Sequence, residues 1–348
     1  MRIATWNVNS LKARLPRVEE FLGYADVDAL ARVVEQFVGE QVSIEGLRRC
    51  SGGASRETWA LDAVDTRQHV HPLVLRRDPS GQKSATGRGT EYAVLAAAVQ
   101  GGVPAPRVRA RLDPDDGLGS GFLMDRIDGE TIPRRILRDE TFAAARPRLA
   151  AQCGTIAAKI HAVDPAALPE LPVMGAREQV DQQRELLDAF DEPHPALELG
   201  LRWLDERVPD ATAPALVHGD FRNGNFVIGP DGIRAVLDWE LAHLGDPIED
   251  LGWLCVKSWR FGNADLIAGG FGSLDELIAA YAAASGTAIT DDVVRFWVVL
   301  GTVKWGVICI GQAFTHLIGA VRSVELAALG RRVAEMEWDL LDLLDGGW

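Results

Sequence analysis

The stretch that decides the fold is HGDFRNGN, His218 to Asn225, followed by VLDWE, Val236 to Glu240. PALV leads in as a strand, and the segment between the two quoted pieces reads as a hairpin with its turn at Gly229-Pro230-Asp231-Gly232. Phosphoryl transfer asks for a carboxylate that orients and takes the acceptor's hydroxyl proton. It also asks for two oxygen-bearing side chains that hold magnesium. Asp220, Asn225 and Asp238 carry those groups. Asp220 and Asn225 share one loop. Asn225 and Asp238 lie thirteen positions apart, a separation that a hairpin closes by returning its far strand beside its start. His218 then reads as a brace for the loop, because Asp220 occupies the position of the base.

An H-x-D-x4-N loop followed by a metal-binding Asp is the pattern of protein kinases. Gly219, where those enzymes carry Arg, and Trp239, after Asp238, make the segment resemble instead the aminoglycoside phosphotransferase family of small-molecule kinases. ELAHLGDPIEDLGWLC, Glu240 to Cys255, resembles more closely the kinase-like domains fused to some acyl-CoA dehydrogenases. Asp246 and Asp250 within it read as helix caps or braces. The likeness runs from about Asp26 to Trp348. It implies a protein-kinase-like, two-lobed α+β fold, with a small β-rich lobe and a larger helical one. It also implies ATP between the lobes, Mg2+ on Asn225 and Asp238, and Asp220 as the catalytic base.

The rest of the small lobe is read against that resemblance. DVDALARVVEQFV has helical spacing after a capping Asp28. SGGASRETW, Ser51 to Trp59, sits between two expected strands, so Gly52, Gly53 and Ser55 are positioned to cover nucleotide phosphates with backbone N–H groups. The resemblance implies a strand cation on the α/β-phosphates that pairs with a helix Glu, here Arg76 in LVLRR and Glu91 in TEYAVL. Arg76 stands where the family's usual residue is Lys. It keeps the charge and grips phosphate bidentately, but it is bulkier. MDRIDG, Met124 to Gly129, resembles the hinge whose backbone bonds the adenine, with Met124 and Arg126 as its named residues.

The expected organisation is therefore three parts: residues 1–25, 26–128 as the nucleotide-binding lobe, and 129–348 as the lobe with the catalytic loop and acceptor. A chain of 348 residues accommodates two cores. Its 36 basic against 50 acidic residues give a net charge of −14, a poor field for a polyanion, so no nucleic-acid partner is expected. The four cysteines are dispersed without CxxC spacing, which suits reduced thiols and a cytoplasmic location. Phe296 to Phe314 is strongly apolar, but Lys304 and Gln312 interrupt it. A buried helix is expected there, and no membrane partner.

Residues 1–22, beginning MRIATWNVNSLKARLPRVEE, resemble a different family, the N-terminus of exonuclease III-type nucleases, with Asn7 at a metal-site position. A nuclease needs more than Asn7. Glu35 lies near the right distance but in a helical pattern, and no SDH motif follows. The segment reads as a nuclease start joined to another fold by gene fusion or a mis-set start codon. A third reading is a catalytically weak pseudokinase that binds nucleotide without turnover. The acceptor is expected to be a small hydroxyl compound: a cationic one by net charge, a hydroxyacyl or other metabolite by the closer resemblance. Trp253, Trp259, Trp297 and Trp305 read first as core residues and second as lining for an apolar acceptor pocket.

Overall fold

Two-residue alternation in neighbouring strands builds the first of two units. The computed structural model describes residues 27–50, 57–78 and 87–348. The first unit takes in the chain up to Ala96 together with Pro106–Ile127, and the second takes in Ala97–Ala105 and Asp128–Trp348. In the first, strands β1 (Val42–Arg49), β2 (Glu57–Asp65), β3 (Val70–Arg77), β4 (Val108–Arg111) and β5 (Gly121–Asp125) form an antiparallel sheet of order β1-β2-β3-β5-β4. Trp59, Leu61 and Ala63 of β2, Leu73 and Leu75 of β3 and Leu123 of β5 share one face. They pack there on Ala29, Leu30, Val33 and Val34 of helix α1 (Val27–Val38).

The period of two then forces Arg76 to the opposite face, where helix α2 (Arg88–Gln100) lies. Asp28, read as a cap, sits inside the first turn of α1, where a negative charge also suits the positive helix end. Strand β5 stops at Asp125, inside the hinge-like stretch Met124 to Gly129, and β4 was not anticipated. VRAR is short and half charged, so it carries little strand pattern.

The second unit is mostly helical: α3 (Pro133–Arg138), α4 (Arg146–His161), α5 (Ala176–Ala189), α6 (Pro195–Asp205), α7 (Ile248–Cys255), α8 (Leu274–Ser285), α9 (Asp291–Leu317), α10 (Val324–Gly330) and α11 (Val333–Leu344). Two small sheets interrupt it. Strand β10 (His243–Gly245) lies between β6 (Val173–Met174) and β7 (Ala215–Val217), while β8 (Phe226–Gly229) pairs with β9 (Gly232–Val236) as the expected hairpin. Residues 97–105 belong with this unit because the Val236 N–H donates to the Pro104 carbonyl at 2.8 Å.

Helix α9 is long and apolar enough to cross a membrane by length and composition, yet 72% of its most apolar window is buried inside the protein. It packs on α6, α7, α10 and α11. The crossing with α7 is close. A Cβ on Gly252 would stand 2.2 Å from Trp297 Cβ and 2.8 Å from its backbone carbonyl carbon. Gly252→Ala gains up to about 1 kcal/mol of helix propensity but must push the two backbones apart, at a cost of about 1–3 kcal/mol or more. The variant is expected to melt below wild type in calorimetry. An equal or higher melting temperature would show that the crossing is looser than its geometry.

Candidate active site

Strand β7 delivers the chain to His218, which is fully enclosed. Its Nε2 donates to the Leu237 carbonyl at 3.0 Å, and its Nδ1 accepts the Asp220 N–H at 3.2 Å. That pattern belongs to the neutral ring with the proton on Nε2. Burial pulls the His218 pKa below the ordinary histidine value, and the charges of Asp250, Asp220 and Asp238 only partly oppose this. The imidazole also lies 4.7 Å from the ring of Trp239, whose indole N–H donates to the Val236 carbonyl at 3.1 Å. Gly219 has φ 79°, and a Cβ there would approach the Leu241 carbonyl oxygen to 2.5 Å. Glycine at this place is a backbone requirement.

The loop is held from beneath by Asp250 of α7. Its carboxylate accepts the His218 N–H at 2.8 Å and the Gly219 N–H at 3.0 Å, and lies 3.1 Å from His161 Nε2. Burial alone would raise this carboxyl, but the His161 bond and charge, with help from His218, hold it below the usual aspartate value. His161 in turn meets the Tyr281 hydroxyl at 3.0 Å. Asp246 behaves as a helix-start brace, accepting the Ile248 N–H at 2.8 Å. Asp250, read alongside it as a helix cap or brace, bonds the backbone of the 218–225 loop instead.

The carboxylate of Asp220 is bound on both oxygens. Oδ1 accepts from Arg222 Nε at 2.8 Å and Trp253 Nε1 at 2.7 Å, and Oδ2 accepts from Asn225 Nδ2 at 2.6 Å. Asn225 Nδ2 also donates to the Asp220 carbonyl at 2.9 Å. With its NH2 spent there, the Asn225 amide must turn Oδ1 away from Asp220. The Leu237 N–H donates to the Asn225 carbonyl at 2.8 Å, so the hairpin brings Asp238 to the next position beside Asn225. Asp238 adopts φ 70° and ψ 62°, a left-handed conformation that a non-glycine residue holds only when its surroundings impose it. An amide oxygen and a carboxylate suit magnesium, which takes few protein ligands and fills its octahedron with phosphate oxygens and water. Among the described residues no group of three or more His, Cys, Asp and Glu could hold a metal ion.

In the first unit, Arg76 Nη1 and Glu91 Oε1 form an ion pair at 2.8 Å. Sequence reasoning missed Arg88. It holds the other oxygen of Glu91 at 2.8 Å and reaches Asp78 at 2.8 Å, so Glu91 is fixed from both sides. Met124 lies in β5, paired with Val74 and Val108. The backbone N–H groups of Asp125 and Arg126 are spent on the carbonyls of Arg107 and Pro72. The Arg126 guanidinium is spent on Asp62 at 2.8 Å and the Leu61 carbonyl at 3.2 Å. Gly52, Gly53, Ser55 and Asn7 lie outside the described residues.

A model of a phosphotransferase enzyme family matches residues 46–297, most of the chain and all of the geometry just described. The chain belongs to that family. Mouse acyl-CoA dehydrogenase family member 10 is 26% identical over 338 residues, covering 90% of this chain and 31% of the mouse protein. Chicken acyl-CoA dehydrogenase family member 11 is 29% identical over 344 residues, covering 89% and 42%. This chain thus spans less than half the length of these relatives. Among solved structures, a Ralstonia eutropha protein assigned as an aminoglycoside phosphotransferase superposes with a TM-score of 0.73 at 23% identity, covering 92% of this chain and 98% of that one. A macrolide 2'-phosphotransferase from Brachybacterium faecium gives 0.60 at 20% identity, covering 88% and 97%. The kinase-like α+β fold is therefore shared.

A second set of buried charges in this chain went unread in the sequence. Glu249, adjoining Asp250, meets His243 Nε2 at 3.0 Å and Lys304 Nζ at 3.3 Å, and accepts from Gln179. Burial by itself would lower the His243 pKa, but the bond and charge of Glu249 outweigh it and raise it above 6.5. A raised folded-state pKa contributes stability that is complete below the unfolded value and is lost as pH rises through the folded one. The part of the melting temperature that depends on His243 is therefore expected to fall as pH rises from about 6.5 into the alkaline range, against the opposite trend of His218. His243→Gln, which does not titrate, should lack that fall across the same range. Identical slopes would remove His243 from this role.

Proposed function

We propose that this phosphotransferase moves the γ-phosphate of ATP to a hydroxyl of a small molecule, in a magnesium-dependent reaction. The observation that carries the reading is the Asp220–Asn225–Asp238 arrangement: a carboxylate fixed on both oxygens, an amide oxygen turned away from it, and a second carboxylate one hairpin step from that amide. Asp220 orients the acceptor's hydroxyl and takes its proton. Asn225 and Asp238 hold magnesium, which supplies charge neutralisation at the phosphates when bound. Arg76, oriented by Glu91, pairs with the α/β-phosphates, with Gly52, Gly53 and Ser55 covering them. The adenine edge faces the backbone of Met124 to Gly129, the stretch that resembles the hinge. Bound nucleotide in a related solved structure supports this use of ATP: an aminoglycoside phosphotransferase in complex with AMP-PNP and hygromycin B, at a TM-score of 0.58.

For the acceptor, the charges beside Asp220 matter as well as the net charge of the chain. Arg222 sits 2.8 Å from Asp220, and Lys304 lies 5.2 Å over the Trp253 ring beside it. Each cation is paired with a carboxylate, Arg222 with Asp220 and Lys304 with Glu249, so the pairs leave little net charge beside the base and suit an uncharged hydroxyl compound. A hydroxyacyl metabolite fits, and the acyl-CoA dehydrogenase names of the relatives are consistent with it.

Incubation with Mg·ATP and a metabolite library should produce a compound heavier by one phosphate. Asp220→Ala is expected to slow that turnover roughly 10²–10⁴-fold, the range for a positioned base, with AMP-PNP affinity little changed. Wild-type turnover in that variant would take Asp220 out of the role. Asp238→Ala should abolish the magnesium-dependent part of AMP-PNP binding in calorimetry. Nucleotide binding without turnover on any hydroxyl compound, or on water, would replace the kinase reading with a nucleotide-binding module.

A further inference from the structure

Four tryptophans lie in or near the aromatic core beside Asp220, and only one of them points its N–H at a charged group. The indole nitrogens of Trp259, Trp297 and Trp305 are buried with no hydrogen-bond partner. Trp253 Nε1 donates to Asp220 Oδ1 at 2.7 Å. The fold evidently tolerates unpaired indole N–H groups in this region, so the need to satisfy a buried donor does not explain where Trp253 points.

The donor is held in one orientation. The Trp253 ring packs on Trp259 at 5.3 Å between centroids and carries Lys304 Nζ 5.2 Å over its face. Lys304 is anchored in turn to Glu249 at 3.3 Å. Behind the indole lies Gly301, whose added Cβ would stand 3.1 Å from Trp253 Cε3. The other donor to the same oxygen, Arg222, stacks its guanidinium on Trp259 at 4.4 Å. One aromatic ring, Trp259, therefore braces both N–H groups that converge on Oδ1.

An ionised carboxylate has about four lone-pair sites, two on each oxygen. Arg222 and Trp253 fill both on Oδ1, and Asn225 fills one on Oδ2. We propose that Trp253 is a positioning residue for phosphotransfer: with Arg222 it occupies Oδ1 of Asp220 and leaves the remaining site on Oδ2 as the one that meets the acceptor. This rests on the kinase reading above. In the step itself the acceptor's oxygen bonds to the γ-phosphorus as its hydroxyl proton passes to Oδ2. The bond from that phosphorus to the β–γ bridging oxygen breaks, and its electron pair leaves with ADP. A carboxylate free to rotate would present either oxygen and lose part of that alignment.

The decisive experiment removes the N–H and keeps the ring. Trp253 is replaced by benzothienylalanine, and separately by Phe, with Trp297→Phe as a buried control. Mg·ATP turnover is measured with water as the acceptor, and with any hydroxyl compound found to be phosphorylated. Loss of a hydrogen bond to a charged group predicts a fall in kcat of about 10- to 100-fold. The KM for ATP should stay within about twofold, and the Trp297→Phe control should keep wild-type kcat. A wild-type kcat in the benzothienyl protein overturns the proposal and leaves the kinase reading intact. So does a change confined to KM. The contact is also tested without activity, by the 15N–1H resonance of the Trp253 indole, which should shift when Asp220→Ala removes its acceptor; an unmoved resonance overturns the proposal. If wild type turns over no ATP at all, the kinase reading fails and this one falls with it.

Discussion

The fully buried carboxylate of Asp250 is bonded to two consecutive backbone N–H groups, those of His218 and Gly219, and to the ring of His161. A charge enclosed in this way is costly unless every partner is in place, and a backbone N–H left unpaired beside it would be costly too. The requirement therefore runs in both directions. The loop must turn tightly enough to offer both N–H groups, which forces φ 79° at position 219 and excludes any side chain there. Once that turn is made, His218 faces Leu237 across the hairpin, and the Asp220 carboxylate is set at a fixed distance from Asn225.

Helix α7 is only Ile248–Cys255, yet it carries most of this support. Asp250 and Trp253 are three apart and so share a face: one holds the loop's backbone, the other holds its Asp220 side chain. Glu249 and Trp253 are four apart, and Lys304 of α9 bridges them, bonded to the first and lying over the second. Helix α9 can come this close because Gly252 and Gly301 stand at the two crossing points. Packing between two helices thereby reaches the Asp220 carboxylate through a single indole.

The first unit meets the same problem of burying charge with a different device. Glu91 is almost fully buried in α2 and divides its two oxygens between Arg76 and Arg88, while Arg88 also reaches Asp78. The network holds the Arg76 guanidinium in place against the sheet. Arginine suits it because its planar fork holds a carboxylate with more directional control than a lysine point charge.

Much of this was legible in the sequence. The loop-and-hairpin spacing from His218 to Glu240, the alternation in β2 and β3 and the helical period of α1 rest on local geometry, and local geometry is written in consecutive residues. The family followed from the same residues. Other assignments needed the folded chain. Asp250 sits 32 residues from His218, and an aspartate ahead of an apolar helix looks like a cap until the loop is seen above it. Trp253 looks like core, and it is core, except that one polar atom of its ring points at Asp220. Arg88 and Lys304 are single charges with no motif around them, and His243 lies in a recognisable segment that gives it no role. Their meaning depends on which buried carboxylate lies opposite, and no periodicity along the chain encodes that distance.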